Sequence, residues 1–149
     1  MHDWKDEILY SYAVSLLNKP YVFGGQNGIV GYDCSGLVVE LMQSCGMLPH
    51  KVDHTANSLF DYFERGRATY ISRPRFGALV FFGKSKKEIS HVGFCLDRYR
   101  MIEAGGGDST TLNQNDAIRA NAFIRVRPVE VRSDLQAILM PTYNTIGAL

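Results

Sequence analysis

Up to Arg65 the apolar positions recur at three- and four-residue spacing; beyond it they fall into short runs and alternations. Trp4, Ile8, Leu9, Tyr12, Leu16 and Leu17 predict a helix over residues 3–18, with Asp3 as N-cap and Pro20 as the stop. Leu37, Val38, Leu41, Met42 and Cys45 form the stripe of a second helix. It opens at Asp33-Cys34-Ser35-Gly36 and closes at Gly46 and Pro49. A third helix starts near Thr55 and uses Leu59, Tyr62 and Phe63. Ala78 to Phe82, bounded by Gly77 and Gly83, reads as a buried strand. His91 to Leu96 alternates as the next strand, and Arg100 to Ala104 follows the polar turn Asp97-Arg98-Tyr99. Ala122 to Arg127 and Leu135 to Met140 supply later strands. Helices first and strands afterwards predict an α+β fold.

No internal repeat, low-complexity tract or long polar linker interrupts the pattern, so the expectation is one domain over residues 1–149. A chain of this length can bury a core without metal or disulfide staples. The hydrophobic fraction of 46% and the charged fraction of 21% suit a soluble globular protein. A net charge of +1, with no basic stripe interleaved with aromatics, argues against nucleic acid or an anionic membrane surface as partner. No stretch approaches the ~18 apolar residues of a membrane span. Three cysteines, with no Cys-x-x-Cys pair, argue against a disulfide scaffold and a standard zinc site. Met1 to Glu7 is acidic rather than basic and then apolar, which predicts no signal peptide and a chain that is cytoplasmic as made. Action outside the cytoplasm then requires separate delivery.

Candidate chemistry centres on Cys34, at the start of the second helix. Free N–H groups and the positive end of a helix dipole favour a thiolate at such a position. The same N–H groups can receive the negative oxygen of a tetrahedral intermediate. Gly36 lets a substrate approach the backbone closely. Asp33 brings an opposing negative charge, unless its side chain turns away to cap the helix. His91 supplies a base. Glu103 lies twelve residues on, and a hairpin centred on Asp97 would set it directly opposite His91, with Cβ atoms about 5 Å apart. A carboxylate there holds one imidazole nitrogen while the other faces the thiol. Cys45 belongs to an apolar stripe, and Cys95 stands four strand residues, roughly 13 Å, from His91.

These residues, in this order, resemble the NlpC/P60 cysteine peptidases. The matching segments are Pro20-Tyr21-Val22-Phe23-Gly24-Gly25, Asp33-Cys34-Ser35-Gly36-Leu37-Val38, Phe76 to Phe82, His91-Val92-Gly93 and Met101-Ile102-Glu103-Ala104. The resemblance implies a papain-like fold with N-terminal helices packed on an antiparallel sheet. It makes Cys34 the nucleophile, His91 the general base and Glu103 the residue that orients the imidazole. Tyr21 matches a tyrosine that lines the site and helps hold the oxyanion. Asp33 and Ser35 match substrate-facing residues, and Gly36 and Ser90 are counted with them; Thr55 and Ser58 match a further motif only loosely. The implied substrate is the peptide stem of bacterial peptidoglycan, cut between D-glutamate and a diamino acid, with no metal or organic cofactor. This chain departs from the family in three places. Glu103 stands where the family commonly has His, Gly77-Ala78 replaces Gly-Asp before the apolar strand, and an insert from Gln26 to Tyr32 is expected to border the cleft.

Other readings share these features. An N-acetylmuramoyl-L-alanine amidase or a lipid acyltransferase also places Cys before His, and a wall-binding or virion structural module could retain the residues without the chemistry. A short catalytic chain without wall-binding repeats fits a bacteriophage lysin, a tail-associated hydrolase or a secreted antibacterial effector. It fits a stand-alone bacterial enzyme equally, and a phage particle or an inhibitor are conceivable partners.

Overall fold

The structure, a computed structural model, describes residues 4–143. The expected cap Asp3 and the opening Met1-His2 lie outside the described residues. The first helix, α1 (Trp4–Ser15), buries Leu9 and Ala13, with Leu16 just beyond it. Trp4 and Ile8 are not part of that stripe: they are 67% and 61% exposed. Each residue turns the helix by about 100°, so Ile8 cannot share a narrow stripe with Leu9.

A small hairpin follows, β1 (Gln26–Asn27) and β2 (Gly31–Tyr32). Helix α2 (Cys34–Ser44) buries an unbroken run from Ser35 to Val39, then Leu41 and Met42. Helix α3 (Ala56–Glu64) starts at a capping box, in which Thr55 and Ser58 satisfy each other's backbone N–H groups. The remaining strands are β3 (Ala68–Tyr70), β4 (Leu79–Ser85), β5 (Glu88–Cys95) and β6 (Arg100–Gly105). Helix α4 (Gln114–Ala120), β7 (Phe123–Pro128) and β8 (Leu135–Pro141) complete the order. Two boundaries differ from expectation. Gly83 does not end β4, which continues to Ser85 through register shifts at Gly83. As a result His91 lies inside β5, three residues after its start, rather than at the start.

Six strands form one antiparallel sheet in the order β3-β8-β4-β5-β6-β7. One face packs against the helices through Phe81, Phe94 and Ile102, which meet Leu37, Leu41 and Phe60. The Phe60 and Phe81 rings make an edge contact with centroids 5.2 Å apart. The other face buries Val80, Phe82, Cys95, Met101 and Ile138. This is the expected α+β arrangement.

The β5–β6 register corrects the expected hairpin. Phe94 pairs with Ile102 and Cys95 with Met101, which centres the turn on Arg98, not Asp97. The Asp97 carboxylate accepts hydrogen bonds from the Tyr99 and Arg100 backbone N–H groups, both at 2.8 Å, and folds the turn around itself. His91 and Glu103 are therefore offset by two residues along the ladder rather than directly opposite.

Candidate active site

Cys34 owes its position to the residue before it. Asp33 takes the extended backbone of an N-cap (φ −85°, ψ −177°), and its Oδ1 accepts from the Gly36 N–H at 2.7 Å. Oδ2 accepts from the Gly24 N–H at 2.9 Å, and the Ser35 hydroxyl donates to Oδ1 at 3.2 Å. The Asp33 charge is thus spent on the cap. Burial pushes its carboxyl upward, and these hydrogen bonds work the other way. Gly36 is packed too closely for any side chain: a Cβ there would stand 2.0 Å from the Gly25 carbonyl oxygen. Its role is to let α2 press onto the Gly24-Gly25 turn, not to admit substrate. The unused N–H groups of the first turn remain at Cys34 and its neighbour.

The β5–β6 ladder pairs only two residues on each strand, and the strands part beyond Phe94 and Ile102. The start of α2 meets this opening, with the Cys34 sulfur 4.0 Å from the Ser90 carbonyl oxygen. His91 is 8% exposed and Glu103 2%. The imidazole Nε2 and Glu103 Oε2 form a hydrogen-bonded ion pair, which leaves Nδ1 for the sulfur. From β7, the Arg125 Nε donates to Glu103 Oε1 at 3.4 Å and Arg127 Nη1 stands 3.7 Å from the same oxygen. Burial opposes charge on His91. The hydrogen bonds and charges of Cys34 and Glu103 outweigh it and raise the imidazole from 6.5 to about 9. Burial likewise pushes Glu103 up, but the His91 bond and the charges of His91, Arg125 and Arg127 hold it below the usual carboxylate range. Both shifts favour the imidazolium–carboxylate pair.

Cys34, His91, Glu103, Tyr21 and Ser90 line one cleft of about 200 Å³. The Tyr21 ring packs so closely on Gly107 that a Cβ there would lie 2.2 Å from it. Burial, Cys34, Asp33 and Asp108 all raise the Tyr21 hydroxyl, so it remains a donor at neutral pH. Asp33, Ser35 and Gly36 are not among the lining residues; they hold the helix start. Thr55 and Ser58 serve the α3 cap, and no residue from Gln26 to Tyr32 lines the cleft. The residues that sequence reasoning missed are Arg125, Arg127 and Arg132. The first two alternate along β7 beside Glu103, and a buried carboxylate needs such counter-charges. Arg132 is held by two hydrogen bonds to Asp134, at 2.9 and 2.7 Å, and lies over the Phe82 ring. Among the described residues no group of three His, Cys, Asp or Glu side chains is placed to hold a metal ion. No described helix is long and apolar enough to cross a membrane.

The arrangement is that of a nucleophile, a base and an orienting group at a helix N-terminus. The other cysteines are outside it. Burial and Asp97 push the Cys95 thiol up to about 12, on the sheet face turned from the helices and four residues along β5 from His91, and Cys45 closes α2.

Residues 18–127 match the NlpC/P60 family. "Probable endopeptidase YafL" of Escherichia coli is 38% identical over 91 residues, 59% of this chain and 34% of that protein. "Peptidoglycan endopeptidase RipA" of Mycolicibacterium smegmatis is 31% identical over 104 residues, 62% of this chain and 19% of its own. "Gamma-DL-glutamyl hydrolase" of Bacillus subtilis is 31% identical over 102 residues, 68% of this chain and 24% of its own. The chain thus spans about a third or less of these relatives' lengths. Among solved structures, RipD of Mycobacterium tuberculosis, described as a non-catalytic NlpC/p60 domain protein adapted to peptidoglycan binding, has a similar fold. Its TM-score is 0.65 at 19% identity, over 95% of this chain and 99% of that one. The match over residues 18–127 covers most of the chain, and the helix-start cysteine and sheet histidine lie inside it: the chain belongs to the NlpC/P60 peptidase family.

Proposed function

We propose that this chain is a cysteine endopeptidase that hydrolyses a peptide bond in the stem peptides of bacterial peptidoglycan, between D-glutamate and a diamino acid. The observation that carries the reading is the buried His91–Glu103 pair set against Cys34 at a helix start. The relatives named as peptidoglycan endopeptidase and γ-DL-glutamyl hydrolase support the substrate.

In this mechanism the Cys34 thiolate attacks the scissile carbonyl. The N–H groups at the start of α2, with the Tyr21 hydroxyl, hold the oxyanion. Imidazolium His91 gives its proton to the leaving amine, which departs and leaves a Cys34 thioester. Neutral His91 then takes a proton from water, whose oxygen attacks the thioester and releases the acid. Glu103 keeps the ring oriented and favours its charged form.

RipD gives the rival its form, a fold of this kind that binds wall without cutting it. Digestion of purified peptidoglycan by wild type and by Cys34→Ala, read by mass spectrometry, separates the two. Fragments cut between D-glutamate and the diamino acid, absent with the variant, are expected. No fragments from folded wild type, or the same fragments from Cys34→Ala, would refute the proposal.

A further inference from the structure

Three arginines line the cleft that holds Cys34 and His91, and their chemistry exceeds what the catalytic residues need. Arg125 braces Glu103 through Nε alone. The Arg127 guanidinium stands 3.7 Å from the same oxygen, beyond hydrogen-bond distance. Arg132 is turned to Asp134 on one side and spreads over Phe82 on the other. The side chains are 32%, 36% and 34% exposed, and all three residues line the cleft. Arg132 is matched by Asp134, whereas Arg125, Arg127 and the His91 imidazolium share one cleft carboxylate, Glu103. That carboxylate is buried and holds His91 through Oε2, so it offers only Oε1 to Arg125 and Arg127 together and leaves them a net positive charge.

We propose that Arg125, Arg127 and Arg132 form a wall that takes a free carboxylate of the substrate beside the scissile bond, so that the enzyme selects acidic stem peptides over amidated ones. The inference rests on the peptidase reading and deepens it. Guanidinium groups suit this task because they offer paired N–H donors to a planar carboxylate. Two carboxylates of a stem peptide fit: the α-carboxylate of the glutamyl residue and a carboxylate of the diamino acid on the leaving side.

The test uses matched stem peptides with each carboxylate free or converted to its amide. Two quantities are read: kcat/KM with wild type, and binding to Cys34→Ala by calorimetry. Wild type is expected to prefer the free acid by about tenfold or more, the scale of one charge-assisted hydrogen bond. The carboxylate whose amidation costs that factor is the one recognised. In Arg127→Gln/Arg132→Gln the acid-to-amide ratio falls toward one, and Arg127→Lys retains most of it. Equal rates on acid and amide with wild type would overturn the wall and leave the peptidase reading standing. The same would follow if the double variant slowed both peptides alike, because the arginines would then only brace the site. Preferential binding of the acid by Cys34→Ala, without turnover by wild type, would keep the wall and remove the peptidase reading.

Discussion

Glu103→Gln isolates the charge that the imidazole feels. The substitution keeps the size of the side chain and an oxygen within reach of Nε2, and it removes the negative charge. The shift of His91 from 6.5 to about 9, at about 1.4 kcal/mol per unit, favours the imidazolium by roughly 3 kcal/mol, net of opposing burial. Cys34 and Glu103 share that preference, so Glu103 supplies on the order of 1–2 kcal/mol, or about one pKa unit. Arg125 and Arg127 would then face the imidazole without their counter-charge, which acts in the same direction. The assay is kcat/KM for a stem peptide across about pH 5 to 10, where the free enzyme's acid and base are read. Wild type should lose activity as pH rises through about 9. In Glu103→Gln that limb should move down by about one unit, and the rate at neutral pH should fall about 10²- to 10⁴-fold. Glu103→His, the residue the family more commonly carries here, should restore rate through orientation without restoring the limb. A Glu103→Gln profile with its basic limb unmoved would refute the reasoning, because the His91 charge would then not depend on Glu103.

The same pair links stability to pH. His91 is raised in the folded state, so its contribution is fully present below its unfolded value and is lost as pH rises through about 9; Tm should fall over that interval, less so in Cys34→Ala. Glu103 is depressed, so its contribution is present above its unfolded value and is lost as pH falls through the folded one, a loss that Glu103→Gln should remove from the acid side of the Tm profile. Gly36→Ala forces a Cβ against the Gly25 carbonyl oxygen; an overpacking cost of about 2–3 kcal/mol should lower Tm by about 5–10 °C in a thermal melt. Asp33→Ala removes the acceptor for the Gly36 and Gly24 N–H groups and should cost about 1 kcal/mol. Asp33→Asn keeps one acceptor and should fall between the two in denaturant titration.

Much of this site was legible because its parts are local signals. An Asp before a Cys before an apolar helical stripe announces a capped helix start, and the structure places Cys34 at one. The α+β order followed from the change of period after Arg65. The position of Glu103 beside His91 was anticipated for a geometric reason that proved wrong. The hairpin turns at Arg98, because the Asp97 side chain organises the turn, and contact survives through a diagonal rather than a facing pair. Gly36 was misread because its constraint comes from Gly25, eleven residues away, across a fold that periodicity does not reveal. Helix α4 carries only Ala117 as a buried residue and has no stripe to detect. Strand β3 is three mostly exposed residues at a sheet edge. The arginines were invisible for another reason. A charged residue on a strand usually marks solvent, and only the partner strand shows that Arg125 faces Glu103.

Cys95 sits behind the sheet, sealed among Val80, Phe82 and Met101, while Cys34 faces the cleft and Cys45 ends its helix. A thiol reagent therefore meets three different doors in one molecule. Cys34 answers through the native cleft, whereas Cys95 answers only when the outer layer of the sheet opens. The rate at which Cys95 is modified, measured against that of an unfolded chain, gives the free energy of that opening. Repeating the measurement with a stem peptide bound would show whether occupying the cleft tightens the layer behind it, which meets the cleft where Phe82 contacts His91 and Arg132.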